Sequence, residues 1–295
     1  MAKAKIAGAS LALLTALTAS AGASPPNDRG IFSDLDATVV LLLPDRAELR
    51  APRLGAMPGK NVLVVLDGDY PLAAFALSPG REAPATFAAA SARLGPDDAR
   101  ELAAWFAPDS RIERLVGIAD TDGDGIPDQL DVLHGARKLA VNHAAYTEGY
   151  VRIRYPGGDV PRNTGVCSDT VVRALRNAGL DLQRLVAEDI RREPGAYPQV
   201  RRPDSNIDHR RLKNLLRWFQ RHAVAIPASE PLRPGEIVFL DTFPSRPGPE
   251  HVGILSDRRA RNGKRLVINN WTVGHVEEEM ELLSFVPVTH RFRLP

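Results

Sequence analysis

The sequence predicts an α+β fold, and three observations predict it. The apolar run NVLVVLDGDYPLAAFAL is broken at Asp67-Gly68, as in a hairpin. The stretch CSDTVVRALRNAG, starting at Cys167, sets Val171, Val172, Leu175 and Ala178 on one helical face and ends on Gly179, a plausible stop. Four β-rich runs, GEIVFLDTF, EHVGILSD, KRLVINNWTV and VTHRFRL, then close the chain and predict an antiparallel sheet beside that helix.

The elements follow in order. Lys3 and Lys5, an apolar stretch from Ile6 to Ala19 and the small residues Ala21 and Ala23 predict a signal peptide over residues 1–23, and so an exported protein. The apolar stretch is too short for a membrane span, and no later segment replaces it, so no stable membrane insertion is expected. SPPNDRG reads as a flexible mature N-terminus. ATVVLLLP, the hairpin and a helix over GPDDARELAAWFA then make a small α+β region over 24–118, with no catalytic constellation. An acidic loop fills 119–132. The remaining residues, 133–295, predict a helix after the loop, a strand over YVRIRYPGGDVP, the Cys167 helix, an irregular segment over about 181–211, a helix over RLKNLLRWFQRHA and the closing strands.

The 295 residues carry a net charge of +2, with 44% hydrophobic and 25% charged residues. That is a globular composition, and its charge gives no reason to expect a nucleic-acid partner. No HExxH or Cys/His cluster suggests zinc, and no Gly-rich phosphate loop is present. Oligomeric state is not legible in the sequence.

The acidic loop DTDGDGIPDQLD has the spacing of an EF-hand calcium loop. Asp120, Asp122 and Asp124 take positions 1, 3 and 5, and Gly125 takes the sharp turn at 6. Ile126 would offer its carbonyl at 7, with Asp128 at 9 and Asp131 at 12. Calcium is a hard cation that takes several oxygens, and alternate carboxylates on a kinked loop supply them. The expected role is structural; no cofactor is expected for catalysis. The loop resembles those of dockerin and thrombospondin type-three repeats.

Cys167 is the chain's one cysteine, so in an oxidising compartment it has no intramolecular partner. Its place at a helix start suits a thiolate, because unpaired N–H groups and the helix dipole favour negative charge there. Backbone N–H groups from Val166 to Ser168 could also hold an oxyanion. His251 opens the strand HVGIL and is the candidate base. Asn269 or Asn270, ending the next strand, would orient its imidazole; side chains alternate along a strand, so only one of the two can face His251. The other histidines, His134, His143, His222, His275 and His290, read as structural.

GVCSD, RPGEIVFL, HVGIL and LVINN, in this order, resemble the NlpC-type branch of the papain-like cysteine peptidases. YPGGDVPRNTGVCSDTVVRALRNAGLDLQRLV, DSNIDHRRLKNL, PGEIVFLD and HVGILSD are similar to the bacterial "domain of unknown function 1287" family within that branch, over about residues 133–293. The resemblance implies a papain-like domain with the Cys167 helix packed on an antiparallel sheet. It implies Cys167 as nucleophile, His251 as base and Asn269 as the third residue; the family generally has histidine-asparagine where this chain has Asn269-Asn270. It also implies hydrolysis of an amide bond in peptidoglycan or its peptide fragments, in the periplasm or outside the cell. The spacing from Cys167 to His251 is longer than in typical NlpC-type domains, and the excess holds Asp208, His209, Arg210 and Arg211. These would either bind a substrate carboxylate or brace the insertion. A non-catalytic cell-envelope binding module, or an acyltransferase using the same three residues, remains the alternative.

Overall fold

The computed structural model describes residues 49–243, 245 and 248–295, together with two short strands, β1 (Thr15–Ala16) and β2 (Val40–Leu41), which pair antiparallel. The signal peptide over 1–23, the mature N-terminus and the strand read over ATVVLLLP otherwise lie outside the described residues. The protein is mixed α+β, with its main strands in two sheets. No helix among the described residues is long and apolar enough to cross a membrane.

The first sheet has the order β5-β4-β3-β6. Strands β3 (Pro52–Ala56), β4 (Val62–Asp67) and β5 (Tyr70–Ala76) run antiparallel, and β6 (Ile112–Arg114) runs parallel to β3. The hairpin turn falls on Gly68-Asp69, where Gly68 takes φ +61°. Alternation then gives the sheet two apolar faces. Leu63, Val65 and Phe75 pack with Phe87 and Leu102, from α1 (Phe87–Ser91) and α2 (Pro96–Ala103). Val64, Leu66 and Ala74 pack on the other side with Ile126, Leu130 and Leu133.

Leu130 and Leu133 belong to α3 (Asp128–Asn142), which begins inside the acidic loop. The opposite side of α3, through Val132, Ala136 and Leu139, enters the main core with α4 (Cys167–Asn177), α5 (Leu182–Arg192) and α6 (Leu212–His222). The α3–α4 contact is close because Gly135 has no side chain; a Cβ there would lie 2.8 Å from the carbonyl oxygen of Ala174.

The second sheet is antiparallel throughout, in the order β13-β12-β11-β10-β14-β9. Its strands are β9 (Val224–Ala225), β10 (Ile237–Leu240), β11 (His251–Arg259), β12 (Arg265–Asn270), β13 (Glu277–Met280) and β14 (Val288–Arg293). Ile237, Phe239, Val252, Ile254, Ile268 and Phe292 meet the helices, while Val238, Leu240, Leu255, Val267 and Leu282 form a smaller core on the far face. A short parallel pair, β7 (Ala145–Tyr146) and β8 (Thr164–Gly165), leads into α4. The Arg233–Asp67 ion pair at 2.6 Å joins the first sheet to the segment before β10, and Gln129 of α3 ties that helix to the second sheet by donating to Gly235 O and accepting from Leu294 N.

Three readings change. YVRIRYPGGDVP is not a strand, because its N–H groups go to side chains: Ile153 to Asn206, Gly157 to Asp181 and Gly158 to Gln183. The segment over 181–211 is not irregular throughout; Asp181 accepts from Gln183 N and starts α5. Strand β13 was concealed by its sequence EEEM, which lacks apolar alternation.

Gly253→Ala tests how tightly β11 is held. The added Cβ would fall 2.5 Å from Val267 Cγ1 and 2.8 Å from Ile268 O. A loss of about 1–3 kcal/mol is expected, read as a lower urea midpoint at unchanged slope.

Candidate active site

Val166 is extended, at φ −126° and ψ 177°, and α4 starts at the next residue, Cys167. The carboxylate of Asp169 accepts from Val166 N at 2.7 Å, fixing the entry to the helix. The same carboxylate takes both Nε and Nη2 of Arg210, at 2.7 and 2.9 Å, and Ser168 Oγ donates to Arg210 O at 2.6 Å. Arg210 sits on a 3₁₀ turn, Asp208–Arg210.

The Cys167 side chain is buried, forms no disulfide and packs in the main core with Val252; the backbone N–H groups of Val252 and Ser168 favour its thiolate. The β11–β12 ladder stops at Ile254–Ile268, short of Val252 and His251. The thiol thus packs with the residue that follows His251.

His251 Nε2 lies 2.9 Å from Asn269 Oδ1, and Asn269 Nδ2 donates to Val267 O at 3.1 Å. Because the amide nitrogen is committed to a carbonyl, the oxygen faces the ring. Nε2 therefore carries the proton and Nδ1 the lone pair. Trp271 packs edge-on against the imidazole, with centroids 4.7 Å apart. Asn270 points to the other face and donates to Ala144 O and Gly165 O, bracing the approach to α4. Asn269 is the asparagine that meets His251. No hydrogen bond joins Cys167 to His251 among the described residues.

Burial pushes the Cys167 thiol up to about 12, against the Val252 N–H that favours the thiolate. Burial also pulls His251 down to about 4, against its bond to Asn269. The resting pair is therefore a thiol and a neutral imidazole. The thiolate expected from the helix start is not the resting form, since desolvation outweighs the backbone donors.

Asp208 accepts from Asp204 N at 2.6 Å and pairs with Arg211 at 3.1 Å. His209 is buried, which lowers it to about 3. Arg210 is taken up by Asp169, and Arg211 alone of the four has a half-exposed side chain. These contacts are those of a brace. The remaining histidines also have local partners: His143 caps α3 in the left-handed region, His134 lies 3.7 Å from Asp131, His222 meets Asp189, His275 meets Glu278 and His290 stacks on Phe292.

Four neighbours of the site were not singled out in the sequence. Asp169 stands at the third helical position, where an acid commonly reaches back to a helix start. Trp271 follows Asn269 by two and so shares its face. Tyr146 is close enough to interact electrostatically with Cys167, and burial raises its phenol to about 12. Glu277 is buried under α4, where its Oε1 accepts from Thr170 Oγ1 at 2.6 Å, and burial lifts it to about 7. No local pattern announces the last two.

In the acidic loop, Asp120, Asp122 and Asp124 bring carboxylate oxygens within 4.8 Å of one another. Ile126 buries its side chain and Asp131 is buried on the first turn of α3. Asp128, expected as a ligand, instead accepts from Thr121 N at 2.6 Å and Thr121 Oγ1 at 2.5 Å, one bond on each oxygen, and so ties the loop closed.

Residues 133–294 match the family model described as "Domain of unknown function (DUF1287)". The "Uncharacterized protein YijF" of Escherichia coli (strain K12) is 45% identical over 159 residues, covering 51% of this chain and 75% of that protein. No solved structure gives a significant match.

Arg210→Ala separates a brace from a substrate ligand. It leaves Asp169 buried without its guanidinium, so a loss of about 3–5 kcal/mol is expected in denaturant unfolding. Unchanged unfolding would show that the pair does not brace the helix.

Proposed function

The chain belongs to the DUF1287 family, and from that premise we propose that it is an NlpC-type, papain-like cysteine hydrolase that cleaves an amide bond. The observation that carries this is the packing of Cys167 with Val252, the residue after His251, whose ring is in turn oriented by Asn269. The resemblance of its motifs supports peptidoglycan peptides as substrate, and the leader-like N-terminus supports action outside the cytoplasm.

In the proposed reaction Nδ1 of His251 removes the thiol proton as the sulfur of Cys167 attacks the carbonyl carbon. Because both partners rest uncharged, proton transfer accompanies attack. The N–H groups at the start of α4 hold the developing oxyanion. The imidazolium returns its proton to the leaving amine, the C–N bond breaks and a thioester remains. His251 then deprotonates a water that attacks the thioester, releasing the acid and restoring the thiol. An amine in place of that water would make the protein an acyltransferase.

The buried thiol, with no hydrogen bond to His251, favours a second reading: a cell-envelope binding module without turnover. A digest of defined muropeptides, read by mass spectrometry, tests the choice. Cleavage by the wild type that falls at least about a thousandfold in Cys167→Ala supports the hydrolase; binding without cleavage supports the module.

Two outcomes follow for the hydrolase. Asn269→Ala should lower kcat by about a hundredfold, whereas Asn270→Ala should mainly lower stability. His251 is a base only while neutral, so activity should be lost as pH falls through its pKa. The acid limb of kcat/KM should therefore lie near 4 rather than near 6.5.

A further inference from the structure

The acidic loop lies apart from the thiol and takes no part in the proposed reaction. We propose that it binds one calcium ion, through carboxylate oxygens of Asp120, Asp122, Asp124 and Asp131 and the backbone carbonyl of Ile126.

Three converging carboxylates are not by themselves a site, since acidic turns are common on protein surfaces. The independent observation is Asp131. It is 2% exposed, and its Oδ2 is buried with no hydrogen-bond partner, while Oδ1 accepts from Asn177 Nδ2 at 3.2 Å. Asp124, Asp122 and Asp128 act on its carboxyl as like charges, and Lys138 opposes them. Asp120 repeats the pattern from the loop's first position: Oδ2 accepts from Gly125 N at 3.1 Å, and Oδ1 is buried without a partner. Buried carboxylate oxygens are ordinarily satisfied, and an unpaired one among like charges is costly. A cation between them removes both costs.

The donors select the ion. All are oxygens, which excludes a site built for zinc or copper. Calcium accepts six to eight oxygens in flexible geometry, whereas magnesium demands a tight octahedron and keeps its waters. Gly125 takes φ +97°, the sharp bend that lets the first, third and fifth side chains converge. Asp128 closes the loop through Thr121 rather than adding a fifth carboxylate to the site.

The ion would join three parts of the fold. Asn177, ending α4, also donates to Asp131 O at 3.0 Å. The backbone of Gly179 lies against Asp122, and a Cβ there would sit 3.0 Å from Asp122 Cβ. Ile126 and Leu130 pack under the first sheet. Calcium therefore clamps the first sheet, α3 and the end of α4, and its effect is on stability. None of this depends on the hydrolase reading.

The test uses the whole protein, stripped with EDTA, desalted, and titrated with CaCl₂ by calorimetry and in thermal melts. One site per chain is expected, with Tm higher by about 5 °C or more at a hundredfold excess over Kd. Asp122→Asn/Asp124→Asn should abolish both the binding heat and the rise. In EDTA that variant should melt at or above the wild type, because it relieves like-charge repulsion; this separates a lost site from a lost fold. Absence of binding heat and of any Tm change at about 10 mM calcium, beyond the range of weak extracellular calcium modules, would overturn the proposal. So would an equal rise with magnesium, or an undiminished rise in the variant.

Discussion

The position of Cys167 depends on one buried carboxylate. Asp169 accepts from the backbone just before α4 and, with its two oxygens, from two nitrogens of Arg210. Arg210 extends the tie to Gly149 O at 3.2 Å, and Ser168 returns a bond to Arg210 O. Asp208, on the same 3₁₀ turn, gathers Asp204 N and Arg211. A guanidinium matches a carboxylate in a planar fork, so the pair fixes direction as well as distance. The insertion between the Cys167 helix and the second sheet thus holds the start of α4 in place. Removing either charge would strand the other in a dry setting.

Burial then sets the chemical state of the site. Two N–H groups at the start of α4, those of Cys167 and Ser168, and that of Val252 on β11 favour a thiolate. The same packing removes the water that would solvate it, and desolvation is the larger effect. His251 is driven in the complementary direction, toward the neutral ring. A thiol with a high pKa beside an imidazole with a low one does not form a resting ion pair. In the proposed reaction the proton moves only when a carbonyl arrives to take the negative charge. Asn269 matters to this state because it assigns the ring proton to Nε2 and leaves Nδ1 as acceptor.

Local patterns in the sequence made much of this legible. The face Val171, Val172, Leu175 and Ala178 defined the Cys167 helix, and alternation in HVGIL and LVINN defined two adjacent strands. Alternation also said that only one of Asn269 and Asn270 could meet His251, but the choice needed the register, which no single strand contains. The Asp169–Arg210 pair was hidden because its members lie 41 residues apart and each alone resembles an ordinary surface charge. YVRIRYPGGDVP has strand composition but no partner strand; the side chains of Asn206, Asp181 and Gln183 take its N–H groups instead. Strand β13 was missed for the opposite reason: it has a partner strand and glutamates where apolar residues would have announced it.

Helix α4 connects the thiol at its first residue with the acidic loop at its last. Eleven residues at about 1.5 Å rise separate them by about 16 Å. Over that distance, at the effective dielectric of about 20 that suits protein sites, a divalent charge acts on a thiolate by about 2 kcal/mol, and salt reduces it. An ion in the loop would therefore shift the protonation of Cys167 less than its burial does. What it could affect is the seating of α4 against α3, where the Gly135 contact leaves no slack. The two ends of the helix are thus held by different means: a buried ion pair aims the thiol, and the acidic loop anchors the rod that carries it.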